Sequence, residues 1–129
     1  MNIRFLTSTL HGILDYIAAF VLLVAPVILK LNEVSPFAYW LSVVAGGVLI
    51  LYSLLTDYEF SISKMIPFKV HLGLDLSAGV VFVIWPFIFG FTGVAMAYYI
   101  VMGLGIMLVV AVTDSASHVT HDPHHHITE

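Results

Sequence analysis

Charge is what this chain has least of: four Lys and Arg and eight Asp and Glu in 129 residues, 9% in all, where ordinary globular domains carry about 25%. With 60% hydrophobic residues, a soluble domain of this length would need a core larger than it can enclose. Cysteine is absent, which excludes disulfides and thiolate metal sites and leaves nothing to speak for an oxidising compartment. No phosphate-cradling glycine loop, nucleophile elbow or basic nucleic-acid patch is visible, so nucleic acid is not expected as a partner. An enzyme has the least support, because no nucleophile with its base and oxyanion donors can be assembled from these residues.

What is present is hydrophobic runs. Between Asp75 and Asp114 there is no Lys, Arg, Asp or Glu, and one bilayer crossing needs about 20 apolar residues. That stretch holds two crossings, with Gly90-Phe91-Thr92-Gly93 as the turn between them. The first half has apolar runs from about Leu10 to Leu29 and from Pro36 to Thr56, separated by the polar KLNEVS. The expected fold is all-α, a bundle of four transmembrane helices. A cleaved signal peptide is rejected for the first run, because His11, Gly12 and Asp15 interrupt it and because it has a mid-chain counterpart.

That counterpart is an internal repeat. At an offset of 60 residues, His11, Leu14, Asp15, Ala18, Val21 and Pro26 fall on His71, Leu74, Asp75, Ala78, Val81 and Pro86. At an offset of 57, Gly46, Leu51, Thr56 and Asp57 fall on Gly103, Leu108, Thr113 and Asp114. The expected organisation is therefore two tandem, parallel helical hairpins, residues 1–60 and 61–116, followed by a polar tail over 117–129. An even number of spans separates the copies, so they share one orientation about an axis along the membrane normal. Arg4, Lys64 and Lys69 flank one side and Lys30 the other, which puts both termini and the central loop in the cytoplasm. Pro26 and Pro86 end or kink their helices, since proline lacks a backbone donor.

Positions i and i+4 share a helix face, so His11 neighbours Asp15 and His71 neighbours Asp75. Asp57 and Asp114 end the even spans on the same side of the membrane. Two imidazoles and four carboxylates at one level suit a divalent metal, zinc or another transition metal. The candidate ligands are His11, Asp15, Asp57, His71, Asp75 and Asp114. Ala18, Gly46, Ala78 and Gly103 share faces with these residues and would let helices approach closely. Purely structural contacts that fix helix packing weigh equally with metal binding; proton or ion transport and bis-histidine haem ligation by His11 and His71 weigh less. Against pure capping, Asp57 and Asp114 sit at carboxyl ends, where the helix dipole disfavours an anion.

His118, His121, His124, His125 and His126 in the tail form a secondary metal candidate, set against an ordinary polar terminus. The loop aromatics, including Tyr58, and the outer pairs Tyr39-Trp40 and Tyr98-Tyr99 read as anchors at the two interfaces. Besides the lipid bilayer, a second copy or a membrane-protein partner is expected, because four helices enclose little volume.

The strings TLHGILDY, YSLLTDYEF, KMIPFKVHLGLDLSAG and WPFIFGF resemble the small bacterial integral membrane proteins grouped around the SPW repeat. In these a Ser-Pro-Trp-like turn precedes Leu/Phe-Gly-Phe; the tripeptide here is Trp85-Pro86-Phe87 in one copy and Ala25-Pro26-Val27 in the other. The resemblance implies a duplicated four-helix protein of the bacterial inner membrane and leaves its activity open.

Overall fold

The computed structural model describes residues 3–59 and 61–115. The chain is all-α, and among the described residues there is no strand. Helix α1 spans Ser8–Ile28, the single turn α2 Leu31–Val34, α3 Pro36–Leu54, α4 Phe68–Phe89 and α5 Gly93–Val112. The four long helices are each apolar and long enough to cross a bilayer. Their exposed large residues are Ile, Leu, Val and Phe over most of their length, the surface a lipid-embedded helix presents.

Local chemistry sets the helix ends. Thr7 caps α1 by accepting from Leu10 N at 3.2 Å, and Ser35 caps α3 by accepting from Phe37 N at 3.2 Å, with Pro36 following as the first helical residue. Gly90, at φ 69°, ends α4 in the left-handed region. At the equivalent place after α1 the chain uses Lys30, at φ 54°.

Helix α1 packs on α3 and α4 on α5, with far less contact between the two pairs. Gly46 lies against Ala19 and Leu22, and Gly103 lies against Gly79 and Val83. A Cβ on Gly103 would stand 2.6 Å from Gly79 O, so only glycine permits that approach. Ala18 and Ala78, expected to share this role, instead line the space between the pairs.

Neither proline stops its helix at once; α1 runs two residues past Pro26 and α4 three past Pro86. Pro26 leaves Leu22 O without its usual donor. Ser42 Oγ supplies one from α3 at 2.8 Å. That commits the serine proton, so Tyr98 OH, 2.6 Å away, donates to Ser42. Tyr99 OH donates to Ala38 O at 2.6 Å. Tyr98 and Tyr99 are thus buried in an aromatic core with Phe82, Phe91 and Trp85, and the reading of them as interfacial anchors is corrected: the Ser42 hydroxyl and the Ala38 carbonyl of α3 draw their hydroxyls inward.

At the other end, two backbone clasps tie the segments before α1 and α4 to the ends of α5 and α3 respectively. Leu6 N donates to Val112 O and Asp114 N to Leu6 O, both at 2.9 Å. Ile66 N donates to Leu55 O and Asp57 N to Ile66 O, both at 2.8 Å. One clasp thus joins the chain's start to α5, and the other joins the central loop to α3.

Candidate metal centre

Below the clasps, His11, Asp15, His71 and Asp75 converge. One ligand atom from each lies within 4.8 Å of all the others, and all four residues are buried. Each histidine is closest to the aspartate of the opposite pair. His11 Nε2 is 2.8 Å from Asp75 Oδ2 and 3.3 Å from Asp15 Oδ1. His71 Nε2 is 2.8 Å from Asp15 Oδ2 and 3.2 Å from Asp75 Oδ2. The His11 contact is a directional hydrogen bond. The His71 contact is close but off the ring's N–H axis, so His71 Nε2 has no hydrogen-bond partner.

The threonines decide the tautomers. Thr113 Oγ1 donates to Val109 O and Thr56 Oγ1 to Tyr52 O, each at 2.6 Å. A hydroxyl has one proton, so towards the imidazoles these oxygens can only accept. His11 Nδ1, 2.8 Å from Thr113 Oγ1, and His71 Nδ1, 2.7 Å from Thr56 Oγ1, are therefore the N–H donors. This assignment follows from the hydrogen-bond network. Both Nε2 atoms then face the carboxylates; the hydrogen bond to Asp75 puts the second ring proton of His11 on Nε2, and a metal ion would take the place of that proton.

Two buried carboxylates require two compensating positive charges, because an unpaired charge in the membrane interior costs several kcal/mol. Two imidazolium protons meet the requirement, and so does one divalent cation. Tetrahedral zinc with ligands at about 2.0–2.2 Å needs ligand–ligand edges of about 3.4 Å. The shortest observed pairs, at 2.8 Å, would open by about half an ångström to admit it. The donor set is able to hold a metal ion.

Both carboxylates are also held by tyrosines. Tyr52 OH donates to Asp75 Oδ1 in a short hydrogen bond, and Tyr58 OH donates to Asp15 Oδ2 at 3.2 Å. Tyr58 is only 2% exposed, which corrects its reading as a headgroup anchor. Gly12 makes its position available, since a Cβ there would stand 3.2 Å from the phenol ring. Ser61 Oγ and Lys64 Nζ, at 2.8 and 3.2 Å, both donate to Tyr58 O and pin the loop over the site. Burial raises the Tyr58 phenol above its ordinary pKa, and the Asp15 carboxylate adds to the rise, so it stays a protonated donor. Phe68 closes the site from the side, edge-on to His11 at 5.4 Å.

Asp57 and Asp114 stand outside this group. Their helices end at Leu54 and Val112, and the inward-facing member of each Thr-Asp pair is the threonine. Asp57 meets Lys64 at 3.6 Å on a partly exposed surface. Thr56, Thr113, Tyr52, Tyr58 and Phe68 were not anticipated as parts of the site. The Thr-Asp pairs were the available signal, read one residue too far along. His118, His121, His124, His125 and His126 lie outside the described residues.

Neither the curated proteins nor the solved structures contain a match to this chain. The SPW repeat domain does match, over residues 9–114, a stretch that takes in all four spans, both His/Asp pairs and both threonines. With that much of its length matched, this multi-pass membrane protein belongs to the SPW repeat family.

Proposed function

We propose that the His11, Asp15, His71 and Asp75 group binds one divalent transition-metal ion, zinc or a near neighbour. The observation that carries this reading is the fixed direction of the imidazoles. Each Nδ1–H is spent on a threonine whose own proton is spent on a carbonyl, so each neutral ring offers its Nε2 lone pair to the same small volume. Hydrogen bonds from the far ring nitrogen to a fixed acceptor orient metal-binding histidines in this way. His71 Nε2 supports the reading further, because it lies 2.8 and 3.2 Å from oxygens of Asp15 and Asp75 without a well-directed hydrogen bond to either, a position that a cation shared with both carboxylates would satisfy. Haem is less well supported, since Asp15 and Asp75 fill the space between the two Nε2 atoms that a macrocycle would need.

A second reading, in which the cluster only fixes helix packing, rests on the crossed pairing: two imidazolium–carboxylate contacts at 2.8 Å tie each hairpin to the other. Element analysis of protein truncated before His118, beside a His11→Gln/His71→Gln variant, separates the two. Near-stoichiometric metal that is lost in the double variant is expected. Metal in neither sample, with the double variant less stable, leaves packing as the role. An absorption spectrum of the same samples tests for haem.

The chain is read further as two tandem copies of one hairpin, 1–60 and 61–116. Support comes from the clasps and threonine bonds, which recur at offsets of 60 and 57 residues. The membrane is read as the bacterial inner membrane with both termini cytoplasmic, on the basis of Arg4, Lys64 and Lys69 against Lys30. Self-association through the exposed apolar faces completes the proposal.

A further inference from the structure

Between the two helix pairs lies a cavity of about 580 Å³ lined by all four long helices. This size lies within the range of small-molecule sites, about 300–1,000 Å³. Its walls are Val, Leu, Ile, Ala, Phe and Met side chains, and its polar groups stand at its ends. At one end are the carboxylates of Asp15 and Asp75 and the phenol of Tyr52; towards the other is Trp85. Asp15 and Asp75 keep 5% and 4% exposure while both histidines have none, so only the carboxylate edge of the cluster reaches the cavity.

We propose that this cavity binds a neutral, single-chain lipophile carrying a hydroxyl head, with the hydroxyl on the Asp15/Asp75 edge and the chain running towards Trp85. Three features select that class. From Asp75 to Trp85 along α4 is about 15 Å at 1.5 Å per residue, half the roughly 30 Å hydrocarbon core and so the reach of one lipid chain. The floor is made of acceptors, because the Tyr52 proton is already committed to Asp75, so the head must donate. The carboxylate oxygens are the charged atoms of the cluster that face the cavity, with the balancing positive charge fully buried behind them, so a carboxylate or phosphate head would meet like charge first. Aliphatic alcohols and alkyl hydroquinones share the required chemistry. The inference stands whether protons or a metal ion balance the carboxylates.

Trp85 makes the test direct, because the chain has only two tryptophans and the other, Trp40, is exposed. In a Trp40→Phe background in nanodiscs, terminally brominated dodecanol should quench Trp85 fluorescence saturably. Its apparent affinity should exceed that of bromododecane and of bromododecanoic acid by about tenfold, the worth of one hydrogen bond to a charged group. Gly105→Leu and Ala78→Leu, which fill the cavity, should each abolish the saturable component. A Cβ at Gly105 meets nothing within 4 Å, and leucine favours helix, so that variant should fold. Competition by unbrominated dodecanol against decylhydroquinone then separates the two sources of the hydroxyl. Quenching that does not saturate, that is equal for the headless alkane or the acid, or that survives in both filled variants would overturn the proposal.

Discussion

The α1/α3 hairpin and the α4/α5 hairpin carry the same imidazoles, carboxylates and threonines yet solve their packing differently. The second brings two glycines face to face, Gly79 and Gly103, where the first sets Gly46 against Ala19. The second turns on Gly90, whereas the first forces Lys30 into the left-handed region and adds the short helix α2. The first also supplies extra polar groups: Ser42 covers the carbonyl freed by Pro26, and Tyr52 and the Tyr58 loop reach the two aspartates. At the positions corresponding to Tyr52 and Tyr58 the second half has Val109 and Ser115, and at that of Ser42 it has Tyr99. A similar pair of hairpins thus shares the metal-type ligands evenly, while the groups that orient the carboxylates come from the first half and the closest helix contact lies in the second.

Six substitutions, two of them paired with a milder counterpart, break or sharpen this comparison. The largest effect is expected from Asp75→Ala, which leaves two imidazoles facing one carboxylate and strands Tyr52. A loss of about 3–5 kcal/mol in unfolding free energy is expected, as for other broken buried ion pairs. Asp15→Ala should cost less, because its tyrosine contact is longer. Equal losses in a denaturation series would show that the tyrosine asymmetry has no energetic weight.

Next comes the glycine pair. Gly103→Ala drives a Cβ onto Gly79 O and the Val83 backbone, which cannot rotate away, and should cost about 1–3 kcal/mol as overpacking. Gly46→Ala meets Leu23, Ala19 O and Leu22 at 3.0–3.1 Å and should cost less than Gly103→Ala. Thermal unfolding of the two variants side by side checks the order, and a reversal would mean that α4 and α5 part more easily than their contact suggests.

Ser42→Ala follows, leaving Leu22 O and the Tyr98 hydroxyl without their shared partner. About 1–2 kcal/mol is expected, with increased amide exchange around Pro26 and none around Pro86. Smallest is Lys30→Gly, a gain of about 0.5–1 kcal/mol from relief of the left-handed backbone. A rise in melting temperature is the readout, and no change would mean that Lys30 offsets its backbone cost through its own contacts.

Much of this was legible before folding was considered. The scarcity of charge and the length of the apolar runs required four spans, because unpaired polar groups are costly in lipid. The spacing of His11 with Asp15 and His71 with Asp75 put each pair on one face. Asp57 and Asp114 were less legible: their distance from a helix end, and therefore their direction, depends on where α3 and α5 stop. Tyr98 and Tyr99 looked like interfacial anchors, because burial of a tyrosine at a helix start turns on acceptors, here the Ser42 hydroxyl and the Ala38 carbonyl, offered by a helix distant in sequence.

Sequence alone determined the membrane, the number of crossings and the pairing of His11 with Asp15 and of His71 with Asp75 on one helix face, within a candidate set of six, since hydropathy and helical periodicity are local properties of the chain. Tertiary structure decided which aspartate each histidine meets, that threonine rather than aspartate orients the rings, that Tyr52 and Tyr58 complete the shell, and that a cavity separates the two hairpins. Those features depend on how two hairpins dock, and docking is fixed by contacts between residues far apart in the chain, such as His11 with Asp75 and His11 with Thr113, 64 and 102 positions apart.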